Sequence, residues 1–334
     1  MKKRIVFSLL TAFFLHPCLF ADATSAVTYS LSGGRLGDNL ISYLHAKWIS
    51  YKYNIPLLYK PFPYSDQLAL HEKEVLYDLN RIKSFSKTIE FKNDILTFNQ
   101  DNTLYVITYF PESLEEYCPV NAGQNVSNAH PREKKYHSFV VDWSDDKFLQ
   151  EIRECIKNKT NINLIEPPRD CISIAVHVRK NSGGFDLPLL NGLPEELYDP
   201  RASYADVVFP LKCVPDSYYI EQLKYVINAF SEQKIYVYIF TDDPNPASIV
   251  EKYTSAIDKP EVIFDFNTGC NNHHTNVLED FFSMLNFDCL IRADSNLSIV
   301  ASKLGQYKML VTPVHHHWEG RVLVIDQVCV VDNR

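Results

Sequence analysis

The segment that most constrains the fold is an apolar run in the middle of the chain, Cys171 to Arg179, with the sequence CISIAVHVR. It shows almost no alternation of apolar and polar residues, which is typical of a strand buried on both faces, as in a parallel sheet. The run ends in two polar residues, His177 and Arg179, two positions apart. Open α/β sheets bind ligands outside the carboxyl ends of their strands, so we predict a binding crevice here.

His177 and Arg179 are chemically suited to an anion. The guanidinium is a planar fork of donors that keeps its charge near neutral pH, and the imidazole adds a donor on the same side of the strand. A structural interpretation stays open, because an arginine at a strand end is often a solvated charge and a histidine on an apolar strand is often a core residue.

Strands and helices alternate after residue 171, which is typical of a parallel sheet with crossover helices. We predict strands over 172–178, 234–241, 261–264, 289–292 and 309–312, and helices over 216–233, 277–287 and 296–304. In the front half, we predict a strand over 27–31, a helix over 39–53 and a strand over 103–110, in a looser α/β domain.

The chain has 334 residues, which is more than one core of ordinary size needs and indicates two domains. Pro167 and Pro168 interrupt both helices and central strands, so they mark the internal boundary. We predict one α/β domain over residues 24–165 and a Rossmann-like domain over residues 166–334.

The first 23 residues predict a signal peptide, because a basic start precedes an apolar stretch and the small-x-small cleavage signal Ala21-Asp22-Ala23. We therefore expect export to the periplasm, the extracellular space or a secretory lumen, with an uncleaved membrane anchor as the alternative. Cleavage removes three of the 33 Lys and Arg and one of the 41 Asp and Glu, leaving a net charge of −10. Such an acidic chain is not expected to bind nucleic acid, since sequence-independent binding depends on Lys and Arg at phosphates.

Neither the cysteines nor the histidines predict a metal site. Seven of the eight cysteines follow the signal peptide, none in CxxC spacing, and Cys171 and Cys289 begin apolar runs where a reduced thiol is expected. Adjacent residues of an extended segment point to opposite faces, so His315-His316-His317 are not expected to share one ion. We interpret them, and His273-His274, as a loop lining the cleft or as plain surface.

A glycine-rich turn near the front could contribute to an anion site. The segment LSGGRLGDN, residues 31–39, joins a predicted strand to a predicted helix and contains Gly33, Gly34, Arg35, Gly37 and Asn39. Such a turn lets the backbone approach a ligand while the N–H groups of the helix face it. It matches neither GxGxxG nor GxxxxGK[ST], so it predicts no dinucleotide fingerprint and no P-loop.

Two later segments place polar side chains after strands. Asp242 and Asp243 could accept hydrogen bonds from a nucleobase or a sugar, bind a metal, or cap the next helix. Ser295, Asn296 and Ser298 stand at the predicted start of a helix, where N–H and hydroxyl donors suit a phosphate. An ordinary helix cap is the alternative for this segment.

Taken in chain order, these motifs resemble the fucosyltransferase superfamily, which includes α-1,2- and α-1,6-fucosyltransferases and protein O-fucosyltransferases. The matching motifs are Gly-Gly-Arg-Leu-Gly at 33–37, His-x-Arg at 177–179, Thr-Asp-Asp-Pro at 241–244, Glu-Asp-x-x-x-Met at 279–284 and Ser-x-x-Ser at 295–298. The family's first motif usually reads Gly-Asn-Gln where this chain has Gly37-Asp38-Asn39. Its second usually continues Gly-Asp or similar where this chain has Lys180-Asn181.

The resemblance implies a GT-B fold, with two Rossmann-like domains facing across a cleft. It implies GDP-fucose as donor, a glycan or glycoprotein hydroxyl as acceptor, no metal cofactor, and inversion at the anomeric carbon. Residues 24–165 would form the acceptor side and residues 166–334 would bind the nucleotide sugar. A catalytically silent sugar- or nucleotide-binding protein, or a transferase using another nucleotide sugar, remains an alternative.

The resemblance also implies roles for individual residues. Arg179 would hold the β-phosphate and His177 the nucleotide or phosphate, and both would be catalytic. Asp242 or Asp243 would read the guanine edge. Residues 33–39 would close over the donor, and the phosphate would be bound by Ser295, Asn296 and Ser298. A carboxylate near the acceptor hydroxyl would serve as general base, and Asp38 and Glu279 are the candidates.

Overall fold

The computed structural model describes residues 25–31, 34–91, 101–107, 141–180, 210–269, 271, 275, 277–319 and 322–334. Its strands are β1 (Ser25–Tyr29), β2 (Leu58–Tyr59), β3 (Val75–Leu76), β4 (Lys87–Phe91), β5 (Thr103–Ile107), β6 (Ile172–Val178), β7 (Ile235–Thr241), β8 (Val262–Phe266), β9 (Cys289–Arg292), β10 (Met309–Glu319) and β11 (Val322–Asp332). Its helices are α1 (Leu36–Tyr53), α2 (Leu70–Lys73), α3 (Leu79–Ile82), α4 (Asp146–Ile156), α5 (Asp216–Ala229), α6 (Pro246–Ile257), α7 (Val277–Met284) and α8 (Asn296–Leu304).

The larger sheet has the strand order β11-β10-β9-β6-β7-β8, and all its pairings are parallel except that of β10 with β11. Helices α5 and α6 pack on one face of this sheet, and α7 and α8 pack on the other. The apolar runs form its centre because helices exclude water from both faces of β6 and β7. The predicted α/β class with a parallel C-terminal sheet is confirmed.

The smaller sheet is parallel, with the order β1-β5-β4. Helix α1 joins this sheet to the larger one, because its apolar residues share one core cluster with β1, α7 and α8. The N-terminal end of α1 therefore lies at the boundary between the two sheets. The predicted division at residue 165 stays a prediction.

The end of the chain differs from the sequence-based expectation. The strand predicted over 309–312 extends to Glu319 and pairs antiparallel with β11, which the sequence analysis did not identify. The interpretation of His315-His316-His317 as a loop is therefore wrong, since they lie in β10. The register shifts between Pro313 and His315, where a proline without an N–H is tolerated.

Cys171 and Cys289 are free thiols, as predicted, whereas Cys329 is disulfide-bonded. No helix in the described ranges combines the length and apolarity needed to cross a bilayer. The predicted signal peptide, Gly33, and the pair His273-His274 lie outside the described residues.

Candidate anion-binding site

The site is built where strands β6 and β9 end side by side. His177 lies directly opposite Arg292 in the parallel register of these strands. Side chains two residues apart on a strand share a face, so both residues project toward the core cluster that contains Ala175 and Leu290. Helices α1 and α8 cover this face. Arg179 follows two residues after His177, so two arginines and one histidine meet at one edge of the sheet.

Three polar atoms at this edge are shielded from solvent and have no hydrogen-bond partner among the described residues. They are Nδ1 of His177, Nε of Arg179 and Nε of Arg292. Buried polar atoms are almost always hydrogen-bonded in native proteins, so three orphans in one place indicate a missing partner. Because both guanidinium atoms are donors, the missing partner is an acceptor, and an anion fits best.

The electrostatics of the site keep His177 neutral. Burial lowers the pKa of His177 to about 3, and the positive charges of Arg179, Arg292 and Arg35 act in the same direction. The neutral imidazole has one donor and one acceptor nitrogen, so His177 can orient a ligand without adding charge. The charge of the site therefore comes from the arginines.

Two tyrosines of α5 fix the ends of both strands. The hydroxyl of Tyr219 donates to the carbonyl oxygen of His177 at 3.0 Å, and that of Tyr218 donates to the carbonyl oxygen of Arg292 at 2.9 Å. Both tyrosines are buried, so these hydrogen bonds are protected from water. The sequence analysis identified neither hydroxyl as part of the site, because a helical period does not reveal where a hydroxyl forms its hydrogen bond.

Lys180 holds the chain directly after Arg179. Its backbone N–H donates to Oδ1 of Asp242 at 2.8 Å, and its Nζ forms a buried ion pair with Oδ1 of Asp216 at 2.9 Å. Asp216 also accepts hydrogen bonds from Lys252 and Tyr253 on α6, so the ion pair is part of a network. This network fixes the exit of β6. Lys180, which differs from the family motif, therefore has a structural function here.

Asp242 and Asp280 form an acidic side of the site, at the exit of β6. Asp280 is half-buried on α7, and burial together with Glu279 and Asp242 raises its pKa to about 7. Asp280 was not singled out from the sequence, although it lies in the Glu-Asp motif at 279–280. Asp243 instead accepts the backbone N–H of Asn245 at 2.7 Å, which closes a turn before α6 but does not cap the N–H groups of the helix itself.

Glu279 contacts the segment that links the two halves of the chain. Its Oε1 accepts the backbone N–H of Asn163 at 3.1 Å. No hydrogen bond or ion pair among the described residues joins Glu279 to Arg179 or His177. The role of Glu279 as general base stays a prediction.

The glycine-rich turn lies against the start of α8. A Cβ at Gly37 would be 2.8 Å from Cα of Leu297, so only glycine permits this approach of α1 to α8. Asp38 joins the two helices, because one oxygen accepts from the side-chain amide of Asn296 and the other accepts the N–H of Arg35 at 2.8 Å. Both carboxylate oxygens of Asp38 are engaged, which favours a structural role over that of general base.

Two serine hydroxyls lie at the start of α8. Ser298 is fully buried, and its hydroxyl is within 3.0 Å of the carbonyl oxygen of Ser295 and within 3.2 Å of that of Ala293. This favours a structural role for Ser298. The hydroxyl of Ser295 does not cap α8 and can therefore serve a ligand. Asn39 closes the glycine-rich turn by donating to the Gly34 carbonyl oxygen at 3.1 Å.

No set of three or more His, Cys, Asp or Glu side chains within the described part of the chain is arranged to hold a metal ion. On the β10–β11 hairpin, Nδ1 of His315 and Nδ1 of His317 lie 2.6 and 2.8 Å from the two carboxylate oxygens of Asp326. These histidines are therefore engaged with Asp326.

Comparison with known proteins relates the fold of this chain to solved structures. No protein-family profile and no curated protein matches the sequence. A mutant of FUT1 from Arabidopsis thaliana in complex with GDP is similar with a TM-score of 0.52 and 13% identity, over 92% of this chain and 73% of that chain.

Two further structures are similar at lower scores. POFUT1 in complex with GDP-fucose has a TM-score of 0.44 and 12% identity, over 86% of this chain and 97% of that chain. NodZ α-1,6-fucosyltransferase soaked with GDP-fucose has a TM-score of 0.37 and 11% identity, over 93% and 100%. The similarity to the Arabidopsis structure shows that this chain has a fucosyltransferase-like GT-B fold.

Proposed function

We propose that this protein is a glycosyltransferase that transfers fucose from GDP-fucose to a hydroxyl group of a glycan or glycoprotein, with inversion and without a metal ion. The observation that carries the proposal is the set of unpartnered donors at the ends of β6 and β9. The similar solved structures contain GDP or GDP-fucose, which supports the same donor class here.

The diphosphate of the donor would bind at the arginine side of the site. Without a metal ion, stabilising a departing diphosphate requires a fixed cation and oriented donors. Arg179 supplies the cation, because its position is fixed by the network around Lys180. His177, Ser295 and the N-terminal end of α8 supply neutral donors.

The nucleobase would bind at the acidic side. Guanine presents two neighbouring N–H donors on its pairing edge, and a carboxylate accepts both. Asp242 and Asp280 are electrostatically coupled neighbours, and Asp242 also binds the residue that follows Arg179. Since adenine lacks this pair of donors, the arrangement favours GDP over ADP.

The acceptor hydroxyl requires a base. Of the two candidates from the sequence, Asp38 has both oxygens engaged, whereas Glu279 uses one oxygen for the N–H of Asn163. We therefore propose Glu279 as general base and Asp38 as a residue that holds α1 against α8.

We also propose that the protein is exported. The predicted signal peptide supports export, and the disulfide of Cys329 suits an oxidising compartment. Retention of residues 1–23 would make the protein membrane-anchored, and mass spectrometry of the N-terminus of the exported protein distinguishes the two forms.

Calorimetric titration with GDP, ADP and UDP, with and without EDTA, tests the donor. We expect selective binding of GDP that EDTA does not change. The variant Arg179→Ala should lose this binding but keep the fold, whereas Arg169→Ala, at an exposed arginine outside the site, should bind like the wild type. A preference for UDP or ADP would change the donor, and wild-type affinity in Arg179→Ala would refute the site.

Turnover is tested separately from binding. Release of GDP from GDP-fucose in the presence of a panel of glycan acceptors should be detectable and should depend on Glu279. Tight GDP binding without release for any acceptor would instead indicate a silent binding protein.

A further inference from the structure

Arg292 is an almost fully buried arginine at the anion-binding site, with no role assigned to it from the sequence. It is the last residue of β9, only 3% of its surface is exposed, and it faces His177 across the strand pair. Burying a guanidinium is unfavourable unless a carboxylate and hydrogen bonds compensate for the lost water. The partners of Arg292 therefore decide whether its function is purely structural.

The partners of Arg292 within the described chain are incomplete. Nη1 donates to the Ala293 carbonyl oxygen at 3.1 Å, and it lies 3.6 Å from Oδ1 of Asp294, which is too long for a hydrogen bond. Nε has no partner and is sealed from solvent. A guanidinium has five N–H donors, and of these the donor on Nε is left for a ligand.

The surroundings of Arg292 carry excess positive charge. Arg179 and Arg35 act on the same histidine as Arg292 does. On α8, burial and the charge of Arg292 lower the pKa of Lys303 to about 7. Tyr218 and Tyr307 contribute only neutral hydroxyls, which leaves Asp294, among the described residues, as the carboxylate that pairs directly with Arg292. A bound anion would balance this charge.

We propose that Arg292 is a second diphosphate-binding residue, which holds the donor's diphosphate from β9 while Arg179 holds it from β6. The inference rests on the proposed function, because the diphosphate comes from the nucleotide sugar. Asp294 then competes with the ligand for the guanidinium. The two arginines are identified by different evidence. Arg179 matches a family motif, whereas Arg292 is identified by the strand register and its unpartnered Nε.

Calorimetric titration with GDP and, separately, with inorganic diphosphate tests this assignment. Arg292→Lys keeps the positive charge but removes Nε and the planar set of guanidinium donors. It should weaken the binding of both ligands by about tenfold or more, because a charge-assisted hydrogen bond is lost. Asp294→Asn removes the competing carboxylate and should tighten binding of both ligands. Arg153→Lys is the matched control, since Arg153 donates to the Leu304 carbonyl oxygen at the other end of α8.

The outcomes separate this inference from the proposed function. Wild-type affinity in a folded Arg292→Lys protein, or weaker binding in Asp294→Asn, would overturn the assignment, because a purely structural ion pair predicts only a loss of thermal stability. If the wild type binds diphosphate through Arg292 but does not prefer GDP, the assignment holds and the donor is wrong. If the wild type binds neither ligand, both proposals fail.

Discussion

The approach of α1 to α8 at Gly37 yields a quantitative prediction. Replacing Gly37 by alanine adds a Cβ that would be 2.6 Å from the carbonyl carbon of Asn296 and 2.8 Å from Cα of Leu297. These are backbone atoms, so no side chain can rotate away, and the two helices must separate. The change tests whether the glycine-rich turn and the start of α8 form one site.

Gly37→Ala has two opposing effects on stability, and their magnitudes decide whether the protein becomes more or less stable. Alanine is favoured over glycine inside a helix by roughly 0.5–1 kcal/mol. Overpacking a fixed contact destabilises by about 1–3 kcal/mol. Since Gly37 is in the first turn of α1, the gain in helix propensity should be at the low end. We therefore expect a net loss of stability of about 1–2 kcal/mol, which lowers Tm by a few degrees.

Thermal unfolding and GDP titration of Gly37→Ala measure the two consequences. We expect a lower Tm and weaker GDP binding, because separating the helices also breaks the contact of Asp38 with Asn296. Gly269→Ala is the control, since its Cβ would meet only the flexible side chain of Asn267 at 3.1 Å. A Gly37→Ala protein as stable as the wild type would refute the close contact.

Two further variants test the support of the site and its acidic side. Tyr219→Phe removes the hydrogen bond to the His177 carbonyl oxygen. Urea denaturation should show a free energy of unfolding lower by about 1 kcal/mol, and GDP should bind more weakly. If stability and GDP affinity are both unchanged, the hydroxyl does not position β6. Asp280→Asn should reduce the preference for GDP over ADP. The pKa of Asp280 is about 7 in the folded protein, against the ordinary 3.8. The folded state therefore binds this proton more tightly than the unfolded state does. As a result, the contribution of Asp280 to the free energy of unfolding increases as the pH falls from 7 toward 4. The variant should lose this pH-dependent contribution to the free energy of unfolding, and an identical pH profile would contradict the raised pKa of Asp280.

Elements with a local signal were predictable from the sequence. The strand over 172–178, the strand over 289–292 and the helix over 296–304 have the bounds found in the structure. Each is an apolar run or a periodic segment with a clear polar boundary, so the local residue pattern shows which side chains are buried. His177 and Arg179 were recognised for the same reason, since they end such a run.

The remaining contacts depend on which elements become neighbours. Arg292 is the last residue of β9 and Arg179 directly follows β6, but the relevance of Arg292 to the site follows from the pairing of β9 with β6. The hydroxyls of Tyr218 and Tyr219 gain their function from carbonyl groups on two different strands. Residue spacing contains no information about such partners, because they are separated along the chain by whole elements.

The sequence by itself determined the α/β class, and it pointed to the strand after which the candidate anion-binding site lies and to the chemistry of two of its side chains. The tertiary structure decided that Arg292 joins them, that Asp38 and Ser298 are engaged in the packing of α1 and α8, and that the final strands form a hairpin. The physical reason is that periodicity records whether a residue is buried, whereas hydrogen-bond and ion-pair partners are chosen by non-local packing.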